Sequence, residues 1–146
     1  MRTLGTLSAL ALSVILAFPA AADAPMVQRF KAYAVYKMGQ YDEARAMWER
    51  MAEDGDPDAW FNLGTLAEDG LGEPRDLDLA KDRYRTGAIR GSGRSQYRLG
   101  LLMACADPPE PEALDWFAKA SAQGMEDAEA WALHLAKGAE RPSDCP

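Results

Sequence analysis

Apolar and small residues recur along this chain at helical rather than strand spacing, and one arrangement is written several times. Counting from an alanine, residues 44–55 (ARAMWERMAEDG), 80–91 (AKDRYRTGAIRG) and 113–124 (ALDWFAKASAQG) share a skeleton. An aromatic follows one turn on (Trp48, Tyr84, Phe117), a small residue another turn on (Ala52, Ala88, Ser121), and a glycine closes each stretch (Gly55, Gly91, Gly124). An i, i+4, i+8 row lies on one face of an α-helix, and a glycine past the end stops it by accepting the left-handed conformation. Each stretch therefore predicts one helix, the B helix of a unit.

A second phrase starts a few residues after each glycine. Ala59, Ser95 and Ala128 open it, Leu63-Gly64 and Leu99-Gly100 stand a turn further on, and Ala132-Leu133 repeats the pair loosely. The small-residue and leucine row predicts the packed stripe of an A helix, where the glycine lets a neighbouring helix approach closely. The closing glycines are separated by 36 residues (55 to 91) and then 33 (91 to 124). Such periods mark helical solenoids, in which each hairpin buries its apolar face only against its neighbours.

The pattern thus predicts an all-α solenoid of about three and a half antiparallel hairpins. The repeat domain spans 26–138, with hairpins near 27–55, 58–91 and 94–124 and a final helix over 126–138; the polar, proline-containing segment 139–146 reads as an extended tail. Between its helices the second unit has EDGLGEPRD, with turn glycines 70 and 72 and Asp76 as the expected N-cap; the third has CADPPEPE. Pro108, Pro109 and Pro111 stop the preceding helix there, so the shortening falls in a loop and spares the helices.

Residues 1–24 (MRTLGTLSALALSVILAFPAAADA) have a basic start, an apolar run and small residues at the exit, the form of an export signal over 1–22 with cleavage after Ala22 or Ala24. The run is shorter than the roughly 20 residues needed to span a bilayer. No cysteine follows it to carry a lipid, so a periplasmic or secreted chain without membrane insertion is expected. The remainder is long enough for one domain with a core. The full chain has 16 basic against 23 acidic residues, a net charge of −7, and loses Arg2 with the signal. Such acidity disfavours nucleic acid and anionic membrane surfaces as partners.

These phrases resemble the Sel-one-like repeat, a relative of the tetratricopeptide repeat. The second unit carries that pattern as Ala59, Leu63, Gly64, Gly70, Gly72, Asp76, Ala80, Tyr84, Ala88 and Gly91. The third keeps Leu99, Gly100, Ala113, Trp116, Phe117 and Gly124 without the Gly-x-Gly turn; the first, with Gly39-x-Tyr41-x-x-Ala44, is closer to a plain tetratricopeptide repeat. The resemblance covers roughly residues 30–138. It implies a protein-protein interaction adaptor, scaffold or regulator. Its Cys-containing branch leaves open a peptidoglycan-fragment binder or hydrolase, and an accessory subunit of a larger envelope assembly is a third possibility. The partner's identity and the oligomeric state stay open.

Little in the residues speaks for catalysis, a cofactor or a metal, and no enzyme is expected. Cys105 and Cys145 are the only cysteines, and in an oxidising compartment a structural disulfide is expected, with a redox or metal role as the alternative. His134 lacks further imidazoles with which to ligate a metal and reads as a surface residue. Gly70-Leu71-Gly72 and Gly91-Ser92-Gly93 have no preceding strand and no Lys-Ser/Thr after them, so they are turn glycines rather than phosphate loops. The acidic pairs Glu53-Asp54, Glu68-Asp69 and Glu126-Asp127 read as solvated helix ends.

Beside the packing stripe the A helices carry a second row, which in related repeats lines the inner surface. It comprises Tyr33, Tyr36 and Lys37 in the first unit, Phe61, Thr65, Glu68 and Asp69 in the second, and Tyr97 and Leu101 in the third. Aromatic anchors ringed by polar groups suit a protein partner; the alternative is that the curvature of so short a stack covers this row.

Overall fold

The computed structural model describes residues 25–138 together with Cys145. The expected export signal, and the tail apart from Cys145, lie outside the described residues. Among those residues the chain forms seven helices and no strand: α1 (Pro25–Lys37), α2 (Tyr41–Glu53), α3 (Pro57–Asp69), α4 (Leu77–Ile89), α5 (Gly93–Ala104), α6 (Ala113–Ser121) and α7 (Glu126–Ala136). The A helices are α1, α3, α5 and α7; α2, α4 and α6 are the B helices.

One turn is used four times. Gly39, Gly55, Gly91 and Gly124 all have positive φ. The residue after each returns its N–H to a carbonyl of the preceding helix: Gln40 to Val35 at 3.2 Å, Asp56 to Met51 at 2.9 Å, Ser92 to Gly87 at 2.9 Å and Met125 to Ala120 at 3.3 Å. This satisfies carbonyls that the helix end would otherwise orphan and sets a similar reversal each time. Three helices are then opened by side-chain caps: Asp56 accepts from Asp58 N, Asp76 from Leu79 N and Ser92 from Ser95 N.

The B-helix row lies in the core. Ala44, Ala80 and Ala113 are buried, as are Trp48, Tyr84 and Phe117 and then Ala52 and Ala88. In the third unit Ala120 takes the buried place and Ser121 is half-buried. Removing one such large side chain from water contributes about 1.5–3 kcal/mol. The core divides into one cluster around Trp48, Leu63 and Leu66 and another around Tyr84, Leu99 and Phe117, with α3 contributing to both. Burial thus passes from neighbour to neighbour, as a solenoid requires.

The A-helix glycines seat the rings of the next B helix. A Cβ on Gly64 would lie 2.5 Å from Tyr84 Cε1, and one on Gly100 would lie 3.1 Å from Phe117 Cδ1. Leu133 stands at the corresponding place in α7 and is 54% exposed. The loose Ala132-Leu133 repeat therefore does not pack as Leu63-Gly64 does, since among the described residues no B helix follows α7. Cys105 caps the end of α5 and is disulfide-bonded to Cys145, with 5.6 Å between the Cα atoms.

Candidate protein-binding face

The A helices bring their free sides together in a cleft of about 270 Å³. Met26, Phe30 and Tyr33 of α1 form one wall, with Asp58 and Asn62 of α3 and Arg94 of α5 opposite. The first three fall at i, i+4 and i+7, one stripe of α1, and are 68%, 67% and 55% exposed. Helix α1 buries only Ala32 and Val35 among the described residues. Met26, Phe30 and Tyr33 are left exposed where α1 begins the described stack.

The polar groups of the cleft are ordered by local structure. Asp56, the cap of α3, receives both Arg29 Nε (2.7 Å) and Arg29 Nη2 (2.9 Å). Its hydrogen bond and its charge together raise the Arg29 pKa. Asp58 accepts from Ser92 Oγ at 2.5 Å, tying the starts of α3 and α5 together. The Arg94 guanidinium lies over Phe61, 3.9 Å from the ring centre. Among the described residues Arg94 has no carboxylate in ion-pair range.

The residues expected on this face divide into two groups. Tyr33 and Lys37 are exposed, as is Asp69 at the end of α3. Phe61 and Thr65 are half-buried, Phe61 beneath Arg94 and Thr65 donating to the Phe61 carbonyl at 3.1 Å. Tyr97 is half-buried with its ring 5.9 Å from that of Phe117. Tyr36 is drawn inward, 5.5 Å from Trp48 and 5.7 Å from Tyr41. Burial first, and then the charges of Asp69 for Tyr36 and Asp127 for Tyr97, raise the pKa of both phenols.

Glu68 and Leu101 are not on the free surface, being 8% and 7% exposed. Leu101 belongs to the core cluster around Phe117. Glu68 is ion-paired with Arg98 of α5 and accepts the Tyr84 hydroxyl of α4 at 2.6 Å. Its reading as a solvated helix end fails because the neighbouring helices supply partners that let a carboxylate be buried. Burial, then the hydrogen bond to Glu68, pushes the Tyr84 phenol well above its ordinary value. Burial opposes the Arg98 charge, but the Glu68 carboxylate and Tyr84 more than offset it, and the guanidinium is held above its usual pKa.

Reading the repeat alone misses Met26, Arg29, Phe30 and Arg94. The signal for Phe30 is present in the sequence, since α1 has more large apolar residues than one packed stripe uses. No local pattern announces Arg94, whose position matters only once Phe61 lies beneath it. His134 is half-buried, edge-on to Trp131 at 6.1 Å, rather than a freely exposed residue. No helix among the described residues is long and apolar enough to cross a membrane.

No family model matches the chain. A chitin synthase regulator from Malassezia restricta is 34% identical over 90 residues, covering 61% of this chain and 6% of that protein. Among solved structures, a Sel1 repeat protein from Oxalobacter formigenes superposes with a TM-score of 0.68 at 24% identity, over 85% of this chain and 55% of that one. A protective antigen of uropathogenic Escherichia coli with an SLR fold gives a TM-score of 0.65 at 22% identity, over 84% and 28%. The chain thus spans about half the length of the first neighbour and under a third of the second. At these identities the likeness is one of architecture, and the repeat read from the residues is the same architecture: this chain has the helical solenoid fold of the Sel1-like repeat proteins.

Proposed function

We propose that this chain is an exported, non-enzymatic interaction module, an adaptor, scaffold or regulator that holds a protein partner against the free side of its A helices. The observation that carries this reading is the cleft in which α1, α3 and α5, from three successive units, meet around the exposed rings of Phe30 and Tyr33. Large aromatic side chains with polar neighbours are what protein interfaces concentrate at their centres. A disulfide between Cys105 and Cys145 and a leader-like first 22 residues support a periplasmic or secreted setting. The Malassezia relative is a regulator of a synthase, which is in keeping with a regulatory role.

Site-specific photo-crosslinking in the periplasm tests the proposal. A photoreactive residue at Tyr33 or Tyr97 is expected to give a discrete adduct that one at Ile89, exposed on α4, does not. Equal adducts from all three positions, or none from Tyr33 and Tyr97, would refute this face.

A further inference from the structure

Helix α1 is apolar on two opposite sides. With about 3.6 residues per turn, the buried Ala32 and Val35 point one way, while Val27, Phe30 and Ala34 point roughly the other. Met38 extends this second row, because its N–H still donates to the Ala34 carbonyl at 3.1 Å. All four are exposed, and Met26 and Tyr33 flank the row on the side of the cleft. Five of the ten large apolar side chains exposed among the described residues belong to α1 or follow it directly, so they form a patch rather than a scatter. A surface helix turns a polar face outward; one that is apolar on both sides is ordinarily covered on both.

We infer that the outer side of α1 is covered by the α1 of a second copy, packed antiparallel about a two-fold axis. The area is sufficient. Met26, Val27, Phe30, Tyr33 and Met38 are between 49% and 68% exposed. At on the order of 200 Å² for each large side chain, they present on the order of 600 Å² per copy. Two copies together supply about 1,200 Å², the least that stable interfaces bury. The side chains also fit, since in an antiparallel pair centred on Ala32 each Phe30 lies opposite Ala34 of the second copy, a large ring against a small residue. Charge does not oppose the pairing. Arg29 is held by Asp56, Lys31 lines a separate groove with Glu43 and Asp54, and the two Lys37 side chains stand at opposite ends of the seam.

Sedimentation equilibrium of the chain purified from the periplasm tests this pairing. An interface of this size should have a dissociation constant on the order of 10 μM, so the weight-average mass should rise from one chain toward two between about 1 and about 100 μM. Phe30→Ala and Ala34→Glu should each weaken the dimer at least about tenfold. Ile89→Glu, at an exposed apolar position on α4, should leave it unchanged. Phe30→Lys combined with Ala34→Glu should recover part of the association that either substitution abolishes, because the two positions meet across an antiparallel seam. The three positions are exposed in the single chain, so every variant should keep the parent's helical signal and its melting temperature at low concentration.

A one-chain mass at every concentration, association indifferent to Phe30→Ala and Ala34→Glu, or equal loss in Ile89→Glu would overturn the inference. No recovery in the double variant would overturn the antiparallel arrangement. The partner-binding reading is judged apart from this one. A photo-adduct from Tyr33 with the mass of two chains supports the seam, whereas an adduct of another mass shared by Tyr33 and Tyr97 supports a partner in the cleft.

Discussion

At Gly64 a single hydrogen atom decides how closely α4 can lie against α3. With a Cβ placed only 2.5 Å from the Tyr84 ring, Gly64→Ala should force the buried aromatic aside and cost about 1–3 kcal/mol. Gly100→Ala, facing Phe117 at 3.1 Å, should cost less, and urea midpoints of the two variants give the comparison. Tyr84 makes a second prediction. Its folded pKa lies above the ordinary 10.0, so the unfolded chain releases the proton first. The resulting stabilisation is whole below pH 10.0 and is lost as pH climbs from there toward the folded value. Unfolding free energy should therefore fall more steeply as pH rises above about 10 in the parent than in Tyr84→Phe. Parallel profiles would contradict this account of the buried phenol.

Each helix is ended by a turn chosen locally and held by packing with its neighbours. The Asp76 cap is a case where sequence and structure agree, and its carboxylate accepts from Leu79 N at 2.9 Å. Asp76→Ala should destabilise the chain by about 1 kcal/mol, and Asp76→Asn should recover most of that, as read by chemical denaturation. The loop before it also follows from its residues. Gly70 and Gly72 both have positive φ, and a Cβ on Gly72 would meet Tyr41 Cβ at 2.7 Å. The Gly-x-Gly turn thus lets the α3–α4 loop fold down onto the start of α2. Helix α7 shows the limit of such reasoning, because its loose repeat leaves Leu133 in solvent where the equivalent glycines of α3 and α5 receive a ring.

Over the whole molecule, stability is carried by contacts between adjacent helices rather than by one central core. The disulfide crosses that arrangement, joining the end of α5 to a residue beyond α7 with a sequence separation of 40. Closing a loop of this length restricts the unfolded chain by an amount worth up to about 4 kcal/mol. Cys145→Ser, or reduction by dithiothreitol, should lower stability by up to that amount. Hydrogen exchange should quicken in α6 and α7 while α1 to α3 keep their protection, because the constraint encloses only the last part of the stack. Uniform loss of protection across all helices would show that the chain behaves as one cooperative block.

The repeat, the helix faces and the turn glycines could be read from the residues because each depends on spacing of a few positions, and helix periodicity and glycine stereochemistry act over that range. The pairing of Cys105 with Cys145 needed only that two cysteines have no other partner. Periodicity also puts Tyr33 on an exposed stripe of α1, whereas Phe61, expected on the same row, is half-buried between Arg94 and the Tyr84 ring. Tertiary structure decided which charges are buried and how the exposed ones are held. Glu68 is buried because Arg98, 30 residues away, and Tyr84, 16 away, reach it, while Arg94 is oriented because Phe61 of another helix lies beneath it. Those outcomes turn on distances of a few ångströms between units, and no local pattern encodes them.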